Sequence, residues 1–173
     1  NQPDGYAELG VFNAAFQWQA ALQFLATVLC TATVPVMAEQ FGAGEVQASL
    51  RVLRGMLAGV TCVTLPVALL LCLFSPLVMR SYGPAFADGY WTMIMLVLAG
   101  AVSAVLTPVA SAITASGRMW AGFLINTGWA ATMLIGGWYL VQWGAEGLAA
   151  SRLLAAVIHL VIILIVFPRL VLQ

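Results

Sequence analysis

The sequence contains very little charge, and this scarcity excludes several classes of protein. It has no lysine, six arginines and six acidic residues, so charged residues make up 7% of the chain and the formal net charge is zero. Nucleic-acid binding needs an excess of cationic side chains to neutralise phosphates, and this chain has no such excess. A soluble domain is excluded too, because 63% of the residues are hydrophobic and the mean hydropathy is +1.03, which leaves too little polar surface to face water.

Cysteine and histidine are also rare. Three cysteines, Cys30, Cys62 and Cys72, lie in hydrophobic surroundings without CxxC spacing, and the chain has a single histidine. We interpret the cysteines as small apolar packing residues. The sequence shows no carboxylate pair at useful spacing, no Ser/His/Asp arrangement, no glycine-rich phosphate loop and no metal-ligand cluster. It therefore predicts a protein that is not an enzyme and that has no catalytic residues, metal or cofactor.

The chain consists mainly of five uncharged hydrophobic stretches. They lie between Glu8 and Glu39, Arg54 and Arg80, Asp88 and Arg118, Arg118 and Glu146, and Arg152 and Arg169, the last extended backwards by residues 147–151. Crossing a bilayer core of roughly 30 Å takes about 20 helical residues, so each stretch is long enough. They are too long for barrel strands and lack alternation, which leaves helices as the spanning element.

The predicted fold class is therefore all-α, a polytopic membrane bundle of five transmembrane helices. A single domain covers residues 1–173, with spans at about 8–38, 55–79, 89–115, 119–142 and 147–168. Between the first two spans, residues 45–54 are amphipathic, with Val46, Leu50 and Leu53 on one helical face and Arg51 and Arg54 on another. This pattern predicts a short helix lying in the membrane interface.

The arginines favour one orientation across the membrane. Four of them, Arg51, Arg54, Arg118 and Arg169, share one side, and two, Arg80 and Arg152, share the other. Because positively charged residues concentrate on the cytoplasmic side, we expect the first residue outside and the last residue in the cytoplasm. Arg51, Arg54 and Arg118 would then form a cytoplasmic interface in contact with the phosphates of membrane lipids.

The first span is the most polar. Polar side chains recur along it at Asn13, Gln17, Gln19, Gln23, Thr27 and Thr31. At about 100° per residue, Asn13, Gln17, Thr27 and Thr31 share one side, whereas Gln19 and Gln23 point in a second direction. Such groups either line an aqueous cavity, where they suit sugar hydroxyls, or hydrogen-bond neighbouring helices. We predict that Asn13, Gln17, Gln23 and Thr27 bind substrate, with helix packing as the alternative.

Two prolines and two ionisable residues stand out within the other spans. Pro66 and Pro108 lie inside the second and third spans, where proline removes a backbone hydrogen bond and permits helix bending. Arg152 and His159 are seven residues apart and so share nearly one face of the fifth span. They are candidates for ion or proton coupling, although a neutral histidine also hydrogen-bonds across helices without titrating.

Six short motifs occur in a characteristic order along nearly the whole chain. They are GYA at 5–7, VPVMAE at 34–39, YGPAFA at 82–87, ASGR at 115–118, LIN at 124–126 and WGAEGLAA at 143–150. Together they resemble the lipid-linked oligosaccharide flippases and polysaccharide exporters of the multidrug/oligosaccharidyl-lipid/polysaccharide exporter superfamily. No motif is diagnostic alone, so the resemblance rests on their order and spacing.

The resemblance implies a C-terminal lobe fragment of a transporter with two six-helix lobes around a central cavity. The chain would match helices eight to twelve, with the N-terminal lobe missing, and its first span would border the cavity. The implied partners are a lipid-linked glycan substrate and membrane lipids in the plasma (inner) membrane of a bacterium. The implied function is export, by flipping, of isoprenoid-diphosphate-linked oligosaccharide for surface polysaccharide biosynthesis. Family members often carry cationic residues in the cavity, and this chain has none in mid-membrane.

Two other functions remain as alternatives. A drug/cation antiporter of the same superfamily would normally use a membrane carboxylate for coupling, and no acidic residue lies in the middle of a span. A non-transporting membrane scaffold for glycan-synthesis enzymes would turn the amides of the first span toward a protein partner.

Overall fold

The computed structural model describes residues 5–171, so residues 1–4 and 172–173 of the predicted domain lie outside the described part. This part is helical and contains no strand. The helices are α1 (Gly5–Thr31), α2 (Val34–Gly42), α3 (Val46–Leu73), α4 (Ser75–Ser81), α5 (Tyr90–Ala115), α6 (Met119–Leu140) and α7 (Gly144–Val171). Short 3₁₀ segments, Pro84–Gly89 and Val141–Trp143, precede α5 and α7.

Several of these helices are long and apolar enough to cross a membrane. Three helical stretches qualify among the described residues, Val46–Leu73, Pro84–Ala115 and Met119–Arg169, and α1 with α2 makes a fourth if that bent pair is one span. Long apolar helices of this kind indicate a protein embedded in a membrane. The third stretch contains both α6 and α7, which fold back on each other at residues 141–143.

The helices alternate in direction. Along the contact of α1 with α5 the residue numbers rise together, from Val11 beside Gly89 to Gln19 beside Gly100, so these two helices are parallel. Along the contact of α6 with α7, the residue numbers of α6 rise while those of α7 fall. Gly128 lies beside Ile162, and Gly136 lies beside Ser151. The last two helices therefore form an antiparallel hairpin, as their short link requires.

Two hydrophobic clusters define the two ends of the bundle. One gathers side chains such as Ala14, Met79 and Ala149, and we call its end the upper end. The other gathers Met37, Leu53, Ile113, Ile125 and Ile163, and we call its end the lower end. A smaller cluster of Ala26, Cys30, Val60 and Ala104 joins α1, α3 and α5 between them.

Helix α5 lies at the centre and contacts α1, α3 and α7 along its length. Its small residues explain this position, because residues such as Gly100 and Ala104 let neighbouring backbones approach closely. A Cβ atom added at Gly100 would come within 2.9 Å of Gln19 Cγ and 3.3 Å of Gln19 Cα. Glycine is therefore required where α1 crosses α5.

The helix boundaries differ from the predicted spans at two places. The chain bends by 44° between α1 and α2, where Pro35 stands in the first turn of α2. Residues 8–38 thus form two helical pieces instead of one. Conversely, α3 runs without interruption from Val46 to Leu73, so the segment at 45–54, predicted as a separate interfacial helix, continues directly into the second predicted span.

Candidate functional site

The polar residues of α1 separate onto two sides of the helix. The side chains of Asn13, Gln17 and Thr27 are exposed on the outer surface of the bundle, whereas Gln19 is buried and Gln23 is half-buried. The two directions expected from the helical period are therefore present. Gln23, which we grouped with the predicted substrate-binding residues, faces the bundle and not the exposed row.

The exposed side of α1, with Asn13, Gln17, Thr27 and Thr31, presents fewer free polar groups than its composition suggests. The Thr27 hydroxyl donates to the Gln23 carbonyl at 2.9 Å, and the Thr31 hydroxyl donates to the Thr27 carbonyl at 2.8 Å. Both threonines are satisfied within their own helix and need no external partner. The amides of Asn13 and Gln17 remain as the polar groups that this surface presents. In hydrocarbon each would cost about 4–8 kcal/mol if it had no partner, so contact with water or with another protein is more favourable for them than contact with lipid tails.

Gln19 has a structural role at the crossing of α1 and α5. Its side chain is only 2% exposed, and its Cγ, Cα and carbonyl oxygen surround Gly100. The side-chain oxygen Oε1 is buried without a hydrogen-bond partner among the described residues. Gln19 therefore packs α1 against the central helix and is not part of a site open to ligands.

A cleft with a mostly apolar lining and several polar groups lies between four helices near the middle of the bundle. Its volume is about 240 Å³. Gln23 of α1, Ser103 and Thr107 of α5, Asn126 of α6 and His159 of α7 provide the polar lining, and Trp129, Leu106, Ala110 and Ile163 provide the apolar lining. The cleft thus brings together two of the predicted site residues, Gln23 and His159, from helices that are distant in sequence.

The polar groups of the cleft differ in how they are satisfied. The Thr107 hydroxyl donates to the Ser103 carbonyl at 3.1 Å. The amide of Gln23 and the imidazole of His159 are half-buried, and the amide of Asn126 is exposed. Such groups need hydrogen-bond partners inside a membrane, because no lipid tail supplies them. Water or a ligand in the cleft would supply such partners.

Contacts between α1 and α7 close the cleft toward the upper end. The guanidinium carbon of Arg152 lies 4.6 Å from the centroid of the Phe16 ring. Phe16 precedes Gln23 by seven residues and Arg152 precedes His159 by seven, so this pair lies two turns above the cleft. Arg152 therefore does not line the cleft, although it shares a face of α7 with His159.

A further link joins α1 to α7 at the upper end. The Glu8 carboxylate oxygen Oε2 accepts a hydrogen bond from the backbone N–H of Ala145 at 2.7 Å. A negative charge at the start of a helix stabilises it by satisfying a free N–H and opposing the helix dipole. Gly144 makes room for the carboxylate, since a Cβ atom there would lie 2.5 Å from Oε2 and its φ is +62°.

The predicted interface arginines share the lower end. Arg51 and Arg54 are exposed in the first turns of α3, and Arg118 is half-buried just before α6. Arg169 is exposed near the end of α7. The lower end thus holds the four arginines that were expected on one side, and Arg80 in α4 lies at the upper end.

The two intramembrane prolines lie inside continuous helices. Pro66 is exposed within α3 and Pro108 is buried within α5, and neither ends its helix. The bend of more than 40° found in the described residues lies elsewhere, between α1 and α2. The role of Pro66 and Pro108 in bending remains a prediction.

Sequence reasoning did not place Ser103, Thr107, Asn126 and Trp129 in one site. Ser103 and Thr107 belong to the small-residue face of α5, and Asn126 occurs in a motif of the resemblance. The available signal was a polar residue in the middle of a hydrophobic stretch on each of α1, α5, α6 and α7. Helical periods give the face of each helix but not the neighbour that it meets.

Within residues 5–171 no group of three or more His, Cys, Asp or Glu side chains could hold a metal ion. Comparisons with protein-family models, curated proteins and solved structures found no match to this chain.

Proposed function

We propose that this chain is part of a flippase that moves isoprenoid-diphosphate-linked oligosaccharide from the inner to the outer leaflet of a bacterial plasma membrane. The observation that carries the proposal is the outer surface of α1, where the amides of Asn13 and Gln17 are exposed on a helix that together with α2 is long and apolar enough to cross a membrane. A central polar cavity beside that surface would hydrate both amides and let them bind sugar hydroxyls. The motif resemblance supports the same reading.

In this proposal the chain crosses the membrane five times and forms most of one lobe. α1 with α2, α3 with α4, α5, α6 and α7 are the five crossings, and the hairpin of α6 and α7 supplies two of them. The second lobe would face the outer surface of α1. Rocking of the two lobes would then open the cavity alternately to each side.

The orientation places the upper end outside and the lower end in the cytoplasm. It is supported by the four arginines at the lower end. Single cysteines at Met119 and Ser81, both exposed at opposite ends, test it in a background without the native cysteines. A membrane-impermeant thiol reagent added to intact cells should label Ser81→Cys and not Met119→Cys. The reverse pattern would invert the topology.

The flippase proposal is tested by replacing both exposed amides. In the complete transporter that contains this chain, Asn13→Leu combined with Gln17→Leu should reduce flipping of a fluorescent lipid-linked oligosaccharide in vesicles about ten-fold or more, because two hydrogen-bonding groups leave the cavity wall. Val28→Leu is the matched control, since Val28 is exposed on the same helix and already apolar.

The alternatives predict other results for the same variants. If the amides face a scaffold partner, flipping is unchanged and co-purification of a glycan-synthesis enzyme is lost. If they pack against another helix, the variant fails to assemble and its amount in the membrane falls. Normal assembly with normal flipping would reject the proposal.

A further inference from the structure

The polar groups that line the cleft between α1, α5, α6 and α7 are all uncharged, and they are set among apolar side chains. No charged side chain is among its lining residues. A carboxamide, a hydroxyl and a neutral imidazole each present both a donor and an acceptor. A ligand with a formal charge would find no opposite charge here, and transferring it from water would be unfavourable. The lining therefore favours an uncharged ligand whose own groups both donate and accept hydrogen bonds.

The apolar part of the lining favours a ring with one flat hydrophobic side. Trp129 lies on α6, three residues after Asn126, and both residues line the cleft. An indole presents a broad apolar face, and amides beside it can orient a polar edge. A pyranose ring combines these properties, because its C–H groups form an apolar face and its hydroxyls lie at the edge.

The volume of the cleft suits one such ring. Pockets for drug-sized ligands span roughly 300–1,000 Å³, and this cleft has about 240 Å³. The Phe16 and Arg152 contact closes the space between α1 and α7 toward the upper end. Ala110 of α5 and Asn126 of α6 are exposed, so the cleft opens sideways to the surface of the bundle between these two helices.

From these observations we infer that the cleft binds a single uncharged sugar ring, held by Gln23, Asn126 and His159 and stacked on Trp129. This site lies inside the bundle and is separate from the exposed amides of Asn13 and Gln17. The inference rests on the proposed function only for the source of the sugar, a glycan carried by a membrane lipid. A free sugar from water would satisfy the same chemistry.

The test uses the 173-residue chain in lipid nanodiscs and two photoreactive probes. The first is an alkyl glucoside that carries a diazirine on the sugar, and the second is an alkyl alcohol of the same chain length with a diazirine and no sugar. After irradiation, mass spectrometry locates the labelled residues. We expect the glucoside to label peptides containing Trp129 and His159, and the alcohol to label exposed apolar side chains such as Leu134 instead.

Variants identify the groups that hold the sugar. Gln23→Leu combined with Asn126→Leu should reduce labelling of the cleft about ten-fold, because two hydrogen bonds to the ligand are lost. Thr127→Val is the matched control on α6, since Thr127 is exposed and its hydroxyl already donates to the Phe123 carbonyl at 2.9 Å. The control should label like the original chain. Labelling of the original chain alone remains informative if the double variant does not fold.

Competition distinguishes the two sources of sugar. If excess methyl glucoside suppresses labelling, the cleft is reached from water, and if only an unlabelled alkyl glucoside suppresses it, the cleft is reached from the membrane. Either result supports the inference. Labelling by both probes at the same residues, or labelling that neither competitor reduces, would show that the cleft holds only water and would overturn it.

The outcome is separable from that of the flippase proposal. Sugar-specific labelling together with normal flipping by the Asn13 and Gln17 variant would keep the cleft and reject the flippase. Lost flipping in that variant, with no sugar-specific labelling of the cleft, would support the flippase proposal and reject the sugar site in the cleft.

Discussion

Helices α5 and α6 are similar in hydrophobicity and in length, with 26 and 22 residues, yet their surroundings differ sharply. Thirteen residues of α5 are buried in the bundle, whereas in α6 only Ile125 is. Helix α5 packs between three long helices, and α6 packs mainly on α7. Hydrophobicity therefore does not decide which membrane helix lies at the centre.

Residue size separates the two helices. The buried face of α5 contains alanines and a glycine, including Ala99, Gly100 and Ala104. The surface of α6 carries large side chains, and Trp120, Leu134 and Trp138 are between 74% and 81% exposed. Lipid tails are as apolar as leucine, so large apolar residues gain little by leaving the lipid. Close packing between helices is gained where side chains are small.

The largest difference between these helices is expected for leucine truncation. Leu96→Ala in α5 removes a fully buried side chain, and we expect it to lower the free energy of unfolding by about 2–4 kcal/mol because a cavity remains. Leu134→Ala in α6, exposed by 74%, should change it by less than about 1 kcal/mol. Unfolding by SDS titration in mixed micelles measures both. Equal losses would contradict the central position of α5.

Replacing a glycine with alanine should change the free energy of unfolding less than leucine truncation does, and the change should have opposite signs in α5 and α6. Gly100→Ala places a Cβ atom 2.9 Å from Gln19 Cγ, and we expect a loss of about 1–2 kcal/mol from overpacking. Gly122→Ala in α6 meets only Ile113 Cγ2 at 3.6 Å, and it should gain about 0.5 kcal/mol from helix propensity. The same unfolding assay applies, and a stabilising Gly100→Ala would show that α1 does not cross there.

The smallest effect concerns how the helices of the hairpin begin. The first turn of α7 receives the Glu8 carboxylate from α1, whereas α6 begins after Arg118 without a side-chain cap. Glu8→Ala should therefore cost about 1 kcal/mol. Glu39→Ala is the control, because Glu39 is an exposed glutamate of α2 and does not lie at the start of α7. Hydrogen exchange at the backbone of residues 144–148 should rise in the first variant only.

The extent of the helical segments could be predicted from the sequence, but their neighbours could not. Uncharged stretches and the turns at Gly83-Pro84, Gly117 and Gly144 give the helix boundaries, since these three glycines have positive φ and mark chain reversals. Pro35 was a signal for the bend after α1 that we did not use, because proline favours the first turn of a new helix.

The candidate site was predictable only in part. The period of α1 correctly separated Gln19 and Gln23 from Asn13 and Gln17, but sequence could not show that Gln19 meets Gly100 while Gln23 meets a cleft. That difference depends on which helices α1 meets at each of these two positions. Likewise, Asn126 could not be paired with His159, because their proximity follows from how α6 packs on α7.

The weak attachment of α6 to the central helix has a mechanical consequence. Since α6 contacts α7 extensively and α5 only slightly, a small rotation of α6 on α7 would change its distance from α5 while breaking few contacts with α5. Asn126 and Trp129 would move with it, while Gln23 and His159 stay fixed by α1 and α7. The width of the gap at that depth therefore depends on how α6 packs on α7 and only slightly on α5.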